Sequence, residues 1–91
     1  MNAREFYARL ERAVALSYDE RLPAPYVSAR GAGRAAQKLR DMAREAGVPV
    51  VEDRDLAETL FELDIYDFIP EELYRSVAAL FVFVRDLERK G

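Results

Sequence analysis

Gly31-Ala32-Gly33-Arg34-Ala35-Ala36 has the spacing of a phosphate-cradling turn, G-x-G-x-x-G/A. Such a turn ends a strand and opens a helix, and its bare backbone lets a pyrophosphate approach the helix N-terminus. Glu52 and Asp53 stand about 20 residues further on, where an acid could hold a ribose hydroxyl. A small nucleotide-binding protein using the Gly31–Gly33 turn is therefore one reading. Against it, a strand pattern and a proline loop precede the motif. No strand pattern follows Asp53, so the crevice of a larger sheet has nothing to form from. On the plainer reading, Gly31 and Gly33 only make a tight strand-to-helix turn.

Other chemistry is scarcer. Asp64, Asp67, Glu71 and Glu72 could pair as carboxylates for acid–base work. No nucleophile stands beside them, and they lack the D-x-D-x-D-G spacing of a calcium loop. Ser17, Ser28, Ser76 and Thr59 sit in no G-x-S-x-G setting. The chain has no cysteine and no histidine. Disulfides, thiolate ligands and every Ser-His or Cys-His arrangement are excluded. The expected cofactor and metal are none, and catalytic residues are expected to be absent. The aromatic residues are not interleaved with a basic stripe, so no nucleic-acid stacking platform is expected.

The elements that would hold these residues follow from periodicity. Phe6, Tyr7, Leu10 and Val14 recur at helical steps, which predicts a helix over residues 1–12 ahead of a domain over 13–91. Ala13 to Tyr18 alternates and reads as a strand, as does Tyr26 to Arg30 beyond the Leu22-Pro23-Ala24-Pro25 loop. A helix of about 13 residues follows Gly33, stopped by Gly47 and Pro49. Val48 to Glu52 reads as a third strand, parallel to the second after a right-handed crossover. Asp53 or Asp55 caps a short helix bearing Leu56, Leu60 and Leu63. Pro70 opens a last helix reaching about Arg89, with Glu71 and Glu72 in its first turn. Its stripe is Leu73, Val77, Leu80, Val84 and Leu87. Phe83 and Val82 fall off that stripe, so a second face also needs cover. The expected fold is α/β (α+β): a small three-stranded mixed sheet, four with a partner strand, under about four helices. Val14, Leu16, Val27, Leu39, Val50, Leu60, Leu73, Val77, Leu80 and Val84 should form the core.

The chain has 91 residues, 51% apolar and 34% charged, enough for one globular domain. Its net charge of −3 gives no general attraction to nucleic acid or anionic lipid. No apolar run is long enough to span a bilayer, and a cytoplasmic location is expected. Charge is unevenly placed. Residues 26–46 hold five cations against two acids, whereas residues 47–74 hold nine acids against Arg54.

Five segments in order carry a family resemblance. They are Ala13-Val14-Ala15-Leu16-Ser17-Tyr18-Asp19, Ala24-Pro25-Tyr26-Val27-Ser28-Ala29-Arg30-Gly31, Gly47-Val48-Pro49-Val50-Val51-Glu52, Leu56-Ala57-Glu58-Thr59-Leu60-Phe61 and Ile69-Pro70-Glu71-Glu72-Leu73-Tyr74-Arg75-Ser76-Val77-Ala78. Together they resemble the cytoplasmic domain of the type III export-switch family, the flagellar FlhB and its YscU/EscU/HrcU relatives. The family carries an Asn-Pro-Thr-His tetrapeptide just before the first of these strands and cleaves itself there. The matching positions here are Ala8, Arg9, Leu10 and Glu11. The resemblance therefore implies a non-cleaving paralogue of the switch domain with no enzymatic activity.

The implied role is protein binding in flagellar or related type III export, toward export substrates or export-gate cytoplasmic domains. It would act in the cytoplasm, docked at the membrane export apparatus, and as a monomer in dilute solution. A structural dimer with no export role is the other alternative. The family's substrate patch maps onto Ala24, Pro25, Ala78 and Phe81. Ala78 and Phe81, three apart, share a helix face. Pro25 has no N–H to leave unsatisfied beneath a partner.

Overall fold

A computed structural model describes residues 11–90. The expected N-terminal helix, with Ala8, Arg9 and Leu10, lies outside the described residues apart from Glu11 and Arg12. Arg12 opens a strand, so residue 12 itself is not helical.

The first strand, β1, spans Arg12–Ser17, and the second, β2, spans Tyr26–Ala32. They pair antiparallel, from Arg12 opposite Ala32 to Ser17 opposite Tyr26. The ladder slips once: Ala15 faces Ala29 but Leu16 faces Val27, so Ser28 is the extra residue. The Ser28 hydroxyl bonds back to the Ala15 carbonyl at 3.2 Å.

Helix α1 runs Arg34–Glu45 and lies against both strands. Its approach is set by Gly31, where a Cβ would come within 2.8 Å of the Ala35 carbonyl carbon. Gly33 turns the corner at φ 61°, ψ −123°, a conformation open to glycine alone. Gly47 stops the helix in the left-handed region, at φ 76°.

The third strand does not form. Among the described residues the sheet has two strands, and Val48–Glu52 is irregular. The Val48 N–H is spent on the Ala43 carbonyl at the end of α1, and Pro49 has no N–H. Two of five ladder donors are therefore lost before pairing could start. Val48 and Val51 are exposed, and no parallel crossover unit results. The mixed α+β class stands; the strand count and the parallel pairing are corrected.

Helix α2 spans Arg54–Phe61, with the Asp53 carboxylate accepting from the Leu56 N–H at 3.1 Å. Arg30 closes the other end of α2. It donates to the carbonyls of Phe61 (2.5 Å) and Leu63 (3.0 Å). The guanidinium groups of Arg12 and Arg30 both stand over the Phe61 ring, at 5.0 and 5.1 Å.

The stretch after α2 is the irregular turn expected. Tyr66 sits at φ 76°, and the Asp64 and Asp67 N–H groups bond to Asp67 Oδ2 and the Asp64 carbonyl, both at 3.0 Å. This turn lies along the free edge of β2. Tyr66 N–H reaches the Val27 carbonyl, Val27 N–H reaches Asp67, and Ile69 N–H reaches Pro25. A single turn of 3-10 helix, Glu71–Leu73, leads into α3, Tyr74–Lys90.

The core is smaller than expected. Val27, Leu60 and Val77 are buried, joined by Ala24, Ala36 and Ile69. Val14, Leu16, Leu39, Val50, Leu73, Leu80 and Val84 are only half-buried. A two-layer domain of this size leaves its outer stripe partly open. Along α3, Val82, Phe83 and Leu87 are exposed, so its second face has no cover among the described residues.

Candidate functional site

A concavity of about 320 Å³ opens between the β1–β2 loop and α3, at the lower end of the range for ligand clefts. Tyr18, Pro23, Ala24, Pro25 and Ile69 line one side, and Tyr74, Val77, Ala78 and Phe81 the other.

Each part has a local cause. Asp19 builds the loop that carries Pro23, Ala24 and Pro25. Its carboxylate takes the Arg21 backbone N–H at 2.9 Å and the Arg21 guanidinium at 2.6–3.2 Å, and its carbonyl takes the Leu22 N–H. Arg21 holds the Asp19 carboxyl below the usual carboxylate range, and Asp19 raises Arg21 in turn. The pair therefore stays charged at neutral pH, and both partners are exposed. Ala24 (3% exposed) and Ile69 (2%) form the floor together with Val77 (1%). Helix α3 supplies the wall, because Tyr74, Ala78 and Phe81 recur at steps of four and three. The Tyr18 ring closes one end against Phe81, their centroids 6.0 Å apart.

All four positions taken from the resemblance, Ala24, Pro25, Ala78 and Phe81, meet in this concavity. Ala78 is exposed, Pro25 and Phe81 are half-buried, and Ala24 is a floor residue rather than a rim residue. Sequence reasoning missed Tyr18, Pro23, Ile69 and Tyr74. Only Tyr74 had a readable signal, since it lies four residues before Ala78 on the same helix face.

The lining holds no carboxylate, amine, guanidinium or amide side chain; its polar side-chain atoms are the Tyr18 and Tyr74 hydroxyls. It can desolvate an apolar side chain. Elsewhere, the acids Asp64, Asp67, Glu71 and Glu72 are all exposed. Among the described residues no His/Cys/Asp/Glu group could hold a metal ion.

In the Gly31–Gly33 turn one backbone donor is already spent. The Gly33 N–H is already bound to the Glu11 carbonyl at 2.9 Å. The Glu11 carboxylate bridges to Arg40 at 2.8 Å. Asp53, the acid expected at a ribose, is committed to capping α2. The glycines serve the turn and the close helix approach.

Comparison with known proteins gives a consistent set. Residues 10–84 match the model of the FlhB HrpN YscU SpaS family. The chain is 45% identical to the YlqH protein of Bacillus subtilis over 80 residues, covering 87% of this chain and 86% of that protein. It is 38% identical to the flagellar biosynthetic protein FlhB of Bacillus subtilis, across 86% of this chain and 22% of that protein. The chain thus spans about a fifth of the FlhB relatives it matches. Among solved structures, the cytoplasmic domain of FlhB from Shewanella putrefaciens superimposes with a TM-score of 0.83 at 32% identity, covering 87% of this chain and 66% of that one. The SpaS C-terminal domain gives 0.82 at 29% identity, covering 89% and 95%. Among the described residues no helix is long and apolar enough to cross a membrane.

Proposed function

The chain belongs to the FlhB HrpN YscU SpaS family of type III export, and from that premise we propose that it is a non-enzymatic docking module of flagellar or related export. It binds export substrates, or the cytoplasmic domains of export-gate proteins, and works at the cytoplasmic face of the membrane apparatus. The observation that carries this reading is the apolar concavity between the β1–β2 loop and α3. It gathers Ala24, Pro25, Ala78 and Phe81 and exposes no charged lining. A site of this size takes one or two large apolar side chains of an extended segment, which suits weak, reversible binding.

The test is Ala78→Asp. Ala78 is exposed, so the substitution should leave the circular-dichroism spectrum and melting behaviour unchanged. It places a carboxylate over the cleft, where an entering apolar group would strip its water. Binding of flagellar export substrates, followed by NMR titration, should weaken at least about tenfold, the effect of about 1.4 kcal/mol. A folded variant that binds as well as the parent refutes the reading.

The chain is also expected not to cleave itself. Its single asparagine is Asn2, and it has no histidine. Glu11, the last of the four positions matching the family's tetrapeptide, is held by Arg40 and Gly33. Prolonged incubation should leave one species of 10.4 kDa by mass spectrometry. A new fragment beginning at Arg9 would overturn this.

A further inference from the structure

The sheet has two outer edges, and the fold treats them differently. Along β2 the outward backbone groups are engaged: Val27 donates to the Asp67 carbonyl and accepts from the Tyr66 N–H. Those bonds also fix which groups of β1 point outward. Val27 stands opposite Leu16 and turns its N–H and carbonyl away from it. In an antiparallel ladder the facing residue of such a pair turns its own groups away as well. Leu16 therefore presents its N–H and carbonyl at the outer edge of β1, and Val14, two residues earlier, does the same. The far end of the ladder agrees. The Glu11 carbonyl accepts from the Gly33 N–H, which puts the backbone groups of the odd-numbered residues on the β2 side. The extra residue of the ladder, Ser28, lies in β2, so the alternation along β1 is unbroken.

Among the described residues nothing bonds to the outward groups of Val14 and Leu16. Both side chains pack on the buried cluster, yet both stay half-buried, as residues of an uncovered edge do. The edge is also unguarded. Exposed edges are ordinarily blunted by a charge, a proline or a bulge. Between Arg12 at its start and Asp19 beyond its end, β1 has none of these.

We infer that the outer edge of β1 pairs with the same edge of a second copy of this chain, antiparallel about a two-fold axis at Ala15, joining the two sheets into one. This does not rest on the docking function proposed above. Among the described residues β1 has the one strand edge left open, so two copies meet edge to edge only as β1 with β1. The pairing presents the same surface from both sides and consumes it, so it closes at two chains. Parity restricts the register, since outward residues must face outward residues. With Ala15 on the axis, Val14 meets the second copy's Leu16 and Leu16 meets its Val14, and each pair exchanges both bonds. The side chains match as well. Val14 and Leu16 lie together on the face that packs on Leu60, and small Ala13, Ala15 and Ser17 line the face beneath α1. Glu11 comes opposite Asp19, but Arg40 already bridges the first and Arg21 the second. A contact this short lies below the area of a stable dimer, so it forms at high concentration and leaves the dilute chain a monomer.

The test is a concentration series on the unmodified ¹⁵N-labelled chain, up to about 1 mM, where weak association of this order becomes measurable. By sedimentation the average mass should rise from 10.4 kDa toward twice that value. The Val14 and Leu16 amides should exchange fast with deuterium in the dilute chain. They should slow about twofold at the concentration where half the chains are paired. The Ala13 and Ala15 amides, held in the β1–β2 ladder, should be slow throughout. In a mixture of ¹³C-labelled and unlabelled chains, an NOE should join the Ala15 Hα atoms of the two copies. A mass that stays at one chain across the series overturns the inference. So does a dimer whose shifts fall on Val82, Phe83 and Leu87 while Val14 and Leu16 exchange as before. Val14 and Leu16 amides already slow in the dilute chain would show the edge covered within one chain, and overturn it too.

Discussion

Leu60→Ala is expected to cost about 2–5 kcal/mol of folding stability, the range for a buried leucine cut back to alanine. Leu60 is 3% exposed and touches the small core of Ala24, Ile69 and Val77, with Val14, Leu16, Leu56 and Phe81 around it. It is the one fully buried side chain that α2 contributes. Its loss leaves a void between α2, the strands and the cleft floor. A domain of this length holds about 5–14 kcal/mol in total, so the change removes a large fraction. The melting midpoint should fall by at least about 8 °C. Urea unfolding of parent and variant measures it directly. A cost under about 0.5 kcal/mol would mean that α2 does not pack through Leu60.

Gly31→Ala should be nearly as damaging, although it adds only one methyl group. The new Cβ would lie 2.8 Å from the Ala35 carbonyl carbon, 2.9 Å from its oxygen and 3.0 Å from the Ala36 nitrogen. Those atoms are helix backbone and cannot rotate away as a side chain could. α1 must slide off β2, and Ala36, which is fully buried beneath it, loses its fit. Overpacking of this kind costs about 1–3 kcal/mol. By contrast Gly47→Ala meets no atom within 4 Å, and its cost is only that of a left-handed backbone. Comparing the two by thermal unfolding separates steric from conformational need. Equal melting temperatures for Gly31→Ala and the parent would show that α1 sits further from β2.

What the sequence made legible is what local rules govern. The alternation of Ala13 to Tyr18 and the proline entrance at Tyr26 marked β1 and β2 to within two residues. Gly33, Gly47 and Asp53 marked helix boundaries through backbone conformation and capping. The third strand failed because its apolar run says nothing about where its N–H groups go. The end of α1 takes one of them and Pro49 lacks another. Ala24 and Ile69 were missed as core for a related reason. Each sits in an irregular segment beside a proline, where no periodicity exists to read. The cleft was legible only through the family resemblance, since Ala24-Pro25 and Ala78–Phe81 are more than fifty residues apart. Periodicity alone gave just the helical half of it.

The backbone bonds that tie the 66–69 turn to residues 25–27 have a consequence for how fast and how cheaply the cleft fills. The floor is fastened to β2 before any occupant arrives. The amides of Tyr66, Val27 and Ile69 should therefore exchange with deuterium only when the sheet itself opens. On the docking function proposed, a segment entering the cleft would order itself but not its site, and so avoid the entropy that folding a loop around it would require. Its encounter would then be limited by diffusion and orientation, and differences among occupants would show in how long each one stays.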